Sequence, residues 1–248
     1  MAGFHHIVNR GVARSNVFKS PKDKDKFLQI FCKACTIYNA VVHDYCLMDN
    51  HYHLLLETKK ENLSVLMRQV NSNYAIYFNK KEARSGHLWQ GRYKSWYVLN
   101  EEYLYTLFRY IEQNPVRAKI TDTVGAYSYT LAGAVKRNGE LVPCARESIL
   151  LRDFASGDLA GFLEMPLNDE EMELLEQERR KKITIEDGTP TQERAQSLVA
   201  HFSGIKTKPE RNAAIVKAFE DGYTQSAIAA HLGVTPSLVS QTIKKFKI

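Results

Sequence analysis

The stretch AVVHDYCLMDNHYHLLLET, Ala40 to Thr58, constrains the fold more than any other part of the chain. AVVHDYCLMD and HYHLLLET are both β-prone, and only Asp49 and Asn50 lie at the junction. These residues tolerate turn conformations, so the pair predicts a tight hairpin and a sheet that is at least partly antiparallel. Leu54, Leu55 and Leu56 are apolar on both faces, which predicts a central strand. FHHIVNRG, ending at Gly11, predicts a first strand. Ser20 as N-cap, Pro21 at the first helical position, and Phe27, Ile30, Phe31 and Ala34 at helical spacing predict a first helix. Leu63, Leu66, Met67, Val70, Tyr74 and Tyr77 mark the apolar side of a second helix. GHLWQGRYKSWYV ends in a strand. NEEYLYTLFRYIEQNPVRA is a third helix, capped by Asn100 and ended or kinked by Pro115 near Asn114. This order gives an α+β fold with helices packed on a sheet.

After Leu131 the periodicity weakens, and no internal repeat is present. The expected organisation is one domain over residues 1–132, a connector with helical segments over 133–190, and a small all-α domain over 191–248. In GYTQSAIAAHLGVTPSLVSQTIKKFK a helix ends at Leu232, Gly233 permits a turn, and Thr235 and Pro236 open a second helix. Ala229 is small where two helices cross, and Val239 and Ile243 keep one buried face. This is the pattern of a helix-turn-helix, whose second helix enters the major groove. Ser237, Ser240 and Gln241 lie on the opposite face for base contacts, and Lys244, Lys245 and Lys247 suit phosphates. A helical hairpin used for protein contacts is the alternative.

His51 and His53 are one residue apart in the predicted third strand. Strand residues i and i+2 share a face, so the imidazoles stand side by side while Tyr52 points away. Such a pair can chelate a divalent cation, or it can simply line the outer face of an antiparallel strand. Buried histidines need partners, and a metal, a carboxylate or a backbone carbonyl would each serve. Tyr110 and Asn114 are four apart on a helix and share a face. Tyr110 also has the spacing of a core aromatic beside Leu107 and Ile111. Tyrosine is a weak nucleophile: with a free pKa of about 10, roughly 0.1% is ionised at pH 7, a cost of about 4 kcal/mol. Attack on a phosphodiester therefore calls for a metal to polarise the phosphate and stabilise the leaving oxygen. His51, His53 and the Asn114 amide oxygen form a mixed set suited to Mg²⁺ or Mn²⁺, with phosphate oxygens in the open positions.

HYH has the form histidine–hydrophobic–histidine, the HUH motif. With HHIVNRG, DYCLMDNHYHLLLET, NYAIYFNKK, GHLWQGRYKS and RYIEQNPVRA in order over residues 4–120, the chain resembles the single-tyrosine HUH transposases that act on single-stranded DNA. It is most similar to their REP-associated tyrosine transposase branch. The resemblance implies a ferredoxin-like antiparallel sheet with packed helices, the HUH nuclease fold. It also implies a metal held by His51 and His53, Asn114 as the polar ligand, and Tyr110 as the residue that becomes joined to DNA. Tyr52 departs from the smaller aliphatic residue usual at the middle position, with its side chain pointing away from the metal. The implied reaction is cleavage and strand transfer on hairpin-forming repetitive elements through a 5′-phosphotyrosine. No P-loop is present and none is needed, because the tyrosyl ester keeps the phosphodiester energy.

Composition fits an anionic partner: the net charge is +6 and the pI about 9.0. GHLWQGRYKSWYV interleaves Arg92 and Lys94 with Trp89, Tyr93, Trp96 and Tyr97, so that cations hold phosphates and rings stack unpaired bases. A strand edge with core aromatics is the other explanation. Arg10, Arg14, Arg68 and Arg117 are further phosphate candidates. Expected partners are single-stranded or hairpin DNA, with duplex DNA at the C-terminal domain. No run is long enough for a transmembrane helix, MAGFHHIVNRGVARS lacks a secretion signal's apolar core, and the four cysteines are too few for a disulfide scaffold. A cytoplasmic, bacterial, nucleoid-associated monomer or homodimer follows as the expectation. Cys32 and Cys35 suit two small buried residues on one helical face, with zinc or redox chemistry as the alternative. A non-catalytic DNA-binding regulator derived from a transposase is the rival function, and a histidine–cysteine zinc protein a third.

Overall fold

The computed structural model describes residues 2–138, 141–154, 156–178, 182–186, 189–193, 198–205, 207–221, 223 and 225–246. The chain divides into two compact units, Met1–Glu171 and Met172–Ile248.

The first unit is built on β1 (Gly3–Arg10), α1 (Pro21–Tyr38), β2 (Ala40–Leu47), β3 (His51–Thr58), α2 (Leu63–Lys81), β4 (Lys94–Val98) and α3 (Glu101–Glu112). The four strands form one antiparallel sheet in the order β2-β3-β1-β4, the ferredoxin-like arrangement. β3 is central as expected, and Leu54, Leu55 and Leu56 are fully buried. Pro21 opens α1, and Asn39 closes it in the left-handed region with φ of 51°. Leu66, Met67, Val70, Tyr74 and Phe78 make the buried stripe of α2. The Asn100 side chain caps α3 by accepting the Tyr103 N–H at 2.7 Å. The β2–β3 turn is longer than expected: β2 ends at Leu47, so Met48 joins Asp49 and Asn50 outside the strands.

Strand alternation gives the sheet two different faces. One packs on α1 and α2: the buried Tyr52 ring lies 4.9 Å from Phe27, and its hydroxyl donates to Asn71 Oδ1 at 2.8 Å. α3 packs over β2 and β4 on the other face, towards which His6, Asp44 and His53 point.

The first unit does not close near residue 132. α4 (Asn114–Arg117), α5 (Leu131–Asn138), α6 (Ile149–Asp153) and α7 (Ser156–Glu164) follow, and α8 (Asp169–Glu178) spans the point where the second unit begins. The segment read as a connector is tied back by specific bonds: Leu47 N–H to Tyr129 O (2.9 Å), Ser148 Oγ to His43 O (2.6 Å), and Gln113 Nε2 to Met165 O (2.7 Å). These helices are too short to show a repeating apolar stripe, which is why sequence periodicity misses them. Cys32 and Cys35 are both buried on α1, as expected, and the same fold-back adds a bond the sequence did not suggest. Cys32 is disulfide-bonded to Cys144, while Cys35 and Cys46 are free and buried. Burial pushes the Cys35 thiol up to about 12.

The second unit holds the antiparallel pair β5 (Lys182–Glu186) and β6 (Thr189–Glu193), then α9 (Leu198–Phe202), α10 (Lys208–Glu220), α11 (Gln225–Leu232) and α12 (Pro236–Phe246). Thr207 and Glu210 form a capping box on α10. Ile215, Ala218, Tyr223, Ile228, Ala229, Val239 and Ile243 form its core. Gly233 turns between α11 and α12 at φ of +64°, a conformation that favours glycine. Ala229, Val239 and Ile243 are buried as the sequence predicts.

A buried carboxyl pair joins β2 to α3. The two carboxyls are buried close enough to feel one another's charge; Asp44 Oδ1 accepts the Tyr45 N–H at 2.7 Å and Glu112 Oε1 accepts the Ala132 N–H at 2.7 Å. Burial holds Asp44 well above the usual carboxylate range, and the Glu112 charge adds to this; burial raises Glu112 to about 7. The folded pair therefore retains a proton that the unfolded chain releases between about pH 4.5 and 7. Stability conferred by the pair is full below that window and falls as pH rises through it, by an amount on the order of a few kcal/mol. In Glu112→Gln the amide oxygen can still accept from Ala132, and only buried Asp44 is left to titrate. Urea midpoints measured from pH 5 to 8 should decline in the wild type and decline less steeply in the variant.

Candidate active site

The face under α3 gathers the residues that carry chemistry. His51 opens β3 and is half-buried, His53 is buried, and their ring centroids lie 5.1 Å apart. Tyr52 between them faces α1 and α2, as alternation requires. The Tyr110 ring meets His53 edge-on at 5.5 Å, so helix α3 brings this tyrosine to the histidine pair. Arg117 holds its guanidinium 5.3 Å over the Tyr110 ring. Asn114 is the first residue of α4, just past the break that Pro115 was expected to impose. Its amide nitrogen donates to the Tyr110 carbonyl at 2.6 Å and to Ile111 O at 3.4 Å, keeping it one turn from Tyr110 and leaving its oxygen as the atom to offer a cation. Arg10 pairs with His51 in the β1–β3 register.

His6 is the residue the sequence did not single out. Its Nε2 lies 3.2 Å from His53 Nδ1, and its ring is 6.2 Å from Tyr110 and 5.4 Å from Trp96. Alternation along FHHIVNRG puts His6 and Arg10 on one face, but which face meets the His51–His53 pair depends on strand order. A single sequence does not state that order.

Residues 3–114 match the family model described as IS200-like transposase. Over these residues the chain is similar to the IS200-like transposases. Residues 206–247 match the homeodomain-like model. Among solved structures, a REP-associated tyrosine transposase bound to a REP hairpin is 16% identical, with a TM-score of 0.46 over 56% of this chain and 81% of that one. A candidate transposase from Deinococcus radiodurans is 18% identical, with a TM-score of 0.35 over 46% of this chain and 91% of that one. No curated protein sequence matches the chain.

The cations and rings expected on one surface of the first unit are divided between two. Lys94 and Trp96 pair with Val8 and His6, so they share the face of the histidines. Asn9, Ser95, Arg68, Arg92 and Tyr93 line a groove of about 770 Å³ beside α2, on the other face. Trp89 packs on Tyr52 and Tyr74, and its indole N–H donates to Asn71 O at 3.0 Å. Arg10 is exposed and donates to Gln90 Oε1 at 3.0 Å, and Arg14 is exposed in the loop after β1. On α12, Ser237, Gln241 and Lys245 are exposed and Ser240 is half-buried, opposite Val239 and Ile243. The Lys244 side chain and Lys247 lie outside the described residues. No described helix is long and apolar enough to cross a membrane.

Burial holds the His51 imidazole below its ordinary titration range, and the Arg10 charge lowers it further. In Arg10→Ala, the His51 midpoint, followed by NMR on its ring protons, should rise yet stay below that of a free histidine, because burial is the larger cause.

Proposed function

We propose that this chain is a metal-dependent single-stranded DNA endonuclease and strand transferase. It acts on hairpin-forming repetitive elements through a 5′-phosphotyrosine on Tyr110. The observation that carries this is the edge contact between Tyr110 and His53 of the His51–His53 pair, within the residues that match the IS200-like transposase family.

The donors present fit a divalent cation, Mg²⁺ or Mn²⁺. Two imidazoles stand on one strand face, and Asn114 bonds its neighbours through nitrogen, so its oxygen completes the set. Phosphate oxygens of the DNA would fill the open positions of such a site. When bound, the cation polarises the scissile phosphate and stabilises the departing oxygen.

The protein's own groups perform the rest. Tyr110 Oη releases its proton to solvent as it attacks phosphorus, the bond to the 3′ oxygen breaks, and that oxygen takes up a proton and leaves as a 3′-OH. The DNA 5′ end is then a phosphate ester of Tyr110. In the reverse displacement an acceptor 3′-OH attacks the same phosphorus and Tyr110 is released. Arg117, stacked over the Tyr110 ring, is placed to hold a phosphate oxygen beside the attacking group. Lys94 and Trp96 extend the same face to the backbone and bases of the strand. The Arg68–Arg92 groove on the opposite face takes a further part of the folded DNA. The homeodomain-like unit reads duplex DNA through Ser237, Ser240 and Gln241, with Lys244 and Lys245 on phosphates.

Incubated with a labelled single-stranded hairpin and Mn²⁺, the chain should form a covalent protein–DNA adduct visible on a denaturing gel, and Tyr110→Phe should abolish it. An adduct that survives the change moves the nucleophile elsewhere. Binding without an adduct across hairpins and metals makes the chain a regulator instead. For the C-terminal unit, Lys245→Ala should weaken duplex binding evenly across sequences and lower its salt slope by about 1, whereas Gln241→Ala should alter sequence preference in the same titrations.

A further inference from the structure

The two site imidazoles are each tethered through the same ring nitrogen. His51 Nδ1 lies 2.6 Å from Asn50 Oδ1. The Asn50 amide is itself oriented, because its nitrogen donates to the Arg14 carbonyl at 3.3 Å. An amide oxygen has no hydrogen to give, so the hydrogen in the shorter bond belongs to His51 Nδ1. A neutral imidazole with its proton there carries its lone pair on Nε2. His53 repeats the pattern: its Nδ1 faces His6 Nε2 at 3.2 Å, between rings within 16° of parallel. If His6 were the donor, His53 would carry its own proton on Nε2 and turn an N–H outward. If His53 is the donor, its Nε2 is left with a lone pair.

We propose that Asn50 and His6 are positioning residues that lock His51 and His53 as Nδ1–H tautomers, so that both present an Nε2 lone pair to a divalent cation. Strand spacing brings the two rings together but fixes neither their rotation nor their tautomer. A pair in which one ring offers an N–H repels the ion that the other attracts. Partners outside the coordination sphere remove that choice, and their loss typically weakens metal binding by about 10–100-fold. The two devices come from different places: Asn50 from the β2–β3 turn and His6 from the neighbouring strand β1. His6 acts through His53, since its Nε2 is committed to that ring.

This inference rests on the metal-dependent function proposed above, and the test separates the two. Full-length protein labelled with ¹⁵N-histidine, free of metal and at neutral imidazole charge, is examined by long-range ¹H–¹⁵N correlation, which reports which ring nitrogen holds the proton. Both His51 and His53 should be protonated at Nδ1. Mn²⁺ alone is then titrated by calorimetry. His6→Ala should weaken Mn²⁺ affinity about 10–100-fold and release the tautomer at His53 while leaving His51 unchanged. Asn50→Ala should do the reverse. His6→Gln, whose amide oxygen can accept the same hydrogen, should restore most of the affinity and the His53 tautomer, a rescue that loss of packing would not produce. Should His6→Ala fail to fold, the wild-type tautomers and His6→Gln decide. His53 protonated at Nε2 in the wild type overturns the proposal, as does a folded His6→Ala with unchanged affinity and tautomer. A wild type with both Nδ1–H tautomers that takes up no Mn²⁺ upholds the lock and overturns the metal dependence.

Discussion

The pairing of β3 between β2 and β1 is the constraint on which the rest of the first unit depends. It fixes an antiparallel register in which Cys46, His53 and Val8 stand in line, and it buries both faces of the strand. Because side chains alternate, one register sends Tyr52 into the packing of α1 and α2 and both histidines into the space beneath α3. A slip of one residue would exchange these roles. The leucines after His53 make such a slip costly, since Leu54, Leu55 and Leu56 are fully buried and flanked by strands on both sides. The apolar half of β3 thus holds the polar half in place.

The parts of the molecule legible in its sequence were those specified locally. The hairpin, the caps at Pro21 and Asn100, the stripe of α2 and the Gly233 turn each depend on residues within a few positions of one another. The approach of Tyr110 to the histidines was legible only through the order of several motifs, because spacing alone allowed a core aromatic. What stayed hidden depends on long-range pairing. His6 reaches His53 across 47 positions, and Cys32 reaches Cys144 across 112. The Asp44–Glu112 pair looked like two ordinary charged residues, and nothing near either one reports that both are buried.

The division of the basic and aromatic residues of GHLWQGRYKSWYV follows from the same physics. Within β4 side chains alternate, so Lys94 and Trp96 part from Ser95, while Arg92 and Tyr93 lie in the loop before the strand; a cluster that looks continuous in sequence becomes two surfaces in space. Lys94 and Trp96 join the face of the histidines, while Arg92 and Tyr93 face the groove beside α2. Trp89 gives its ring to packing on Tyr52 and Tyr74. Residue types thus pointed to nucleic acid, while the pleat decides which part of a strand each can meet.

The turn before His51 is braced from far along the chain. Buried Lys24 on α1 donates to Asp49 and to the Tyr127 hydroxyl, each at 2.7 Å, and Tyr127 in turn donates to Leu47 O at 2.8 Å. The four strands of the first sheet and the helix bearing Tyr110 are made before Tyr127 is. A nascent chain that has emerged only as far as α4 has every first-unit residue of the proposed chemistry but not the clamp on the turn that carries Asn50. Completion of the proposed site is therefore tied to the late segment, and a truncation just after Arg117 would keep the motifs while removing what braces the turn.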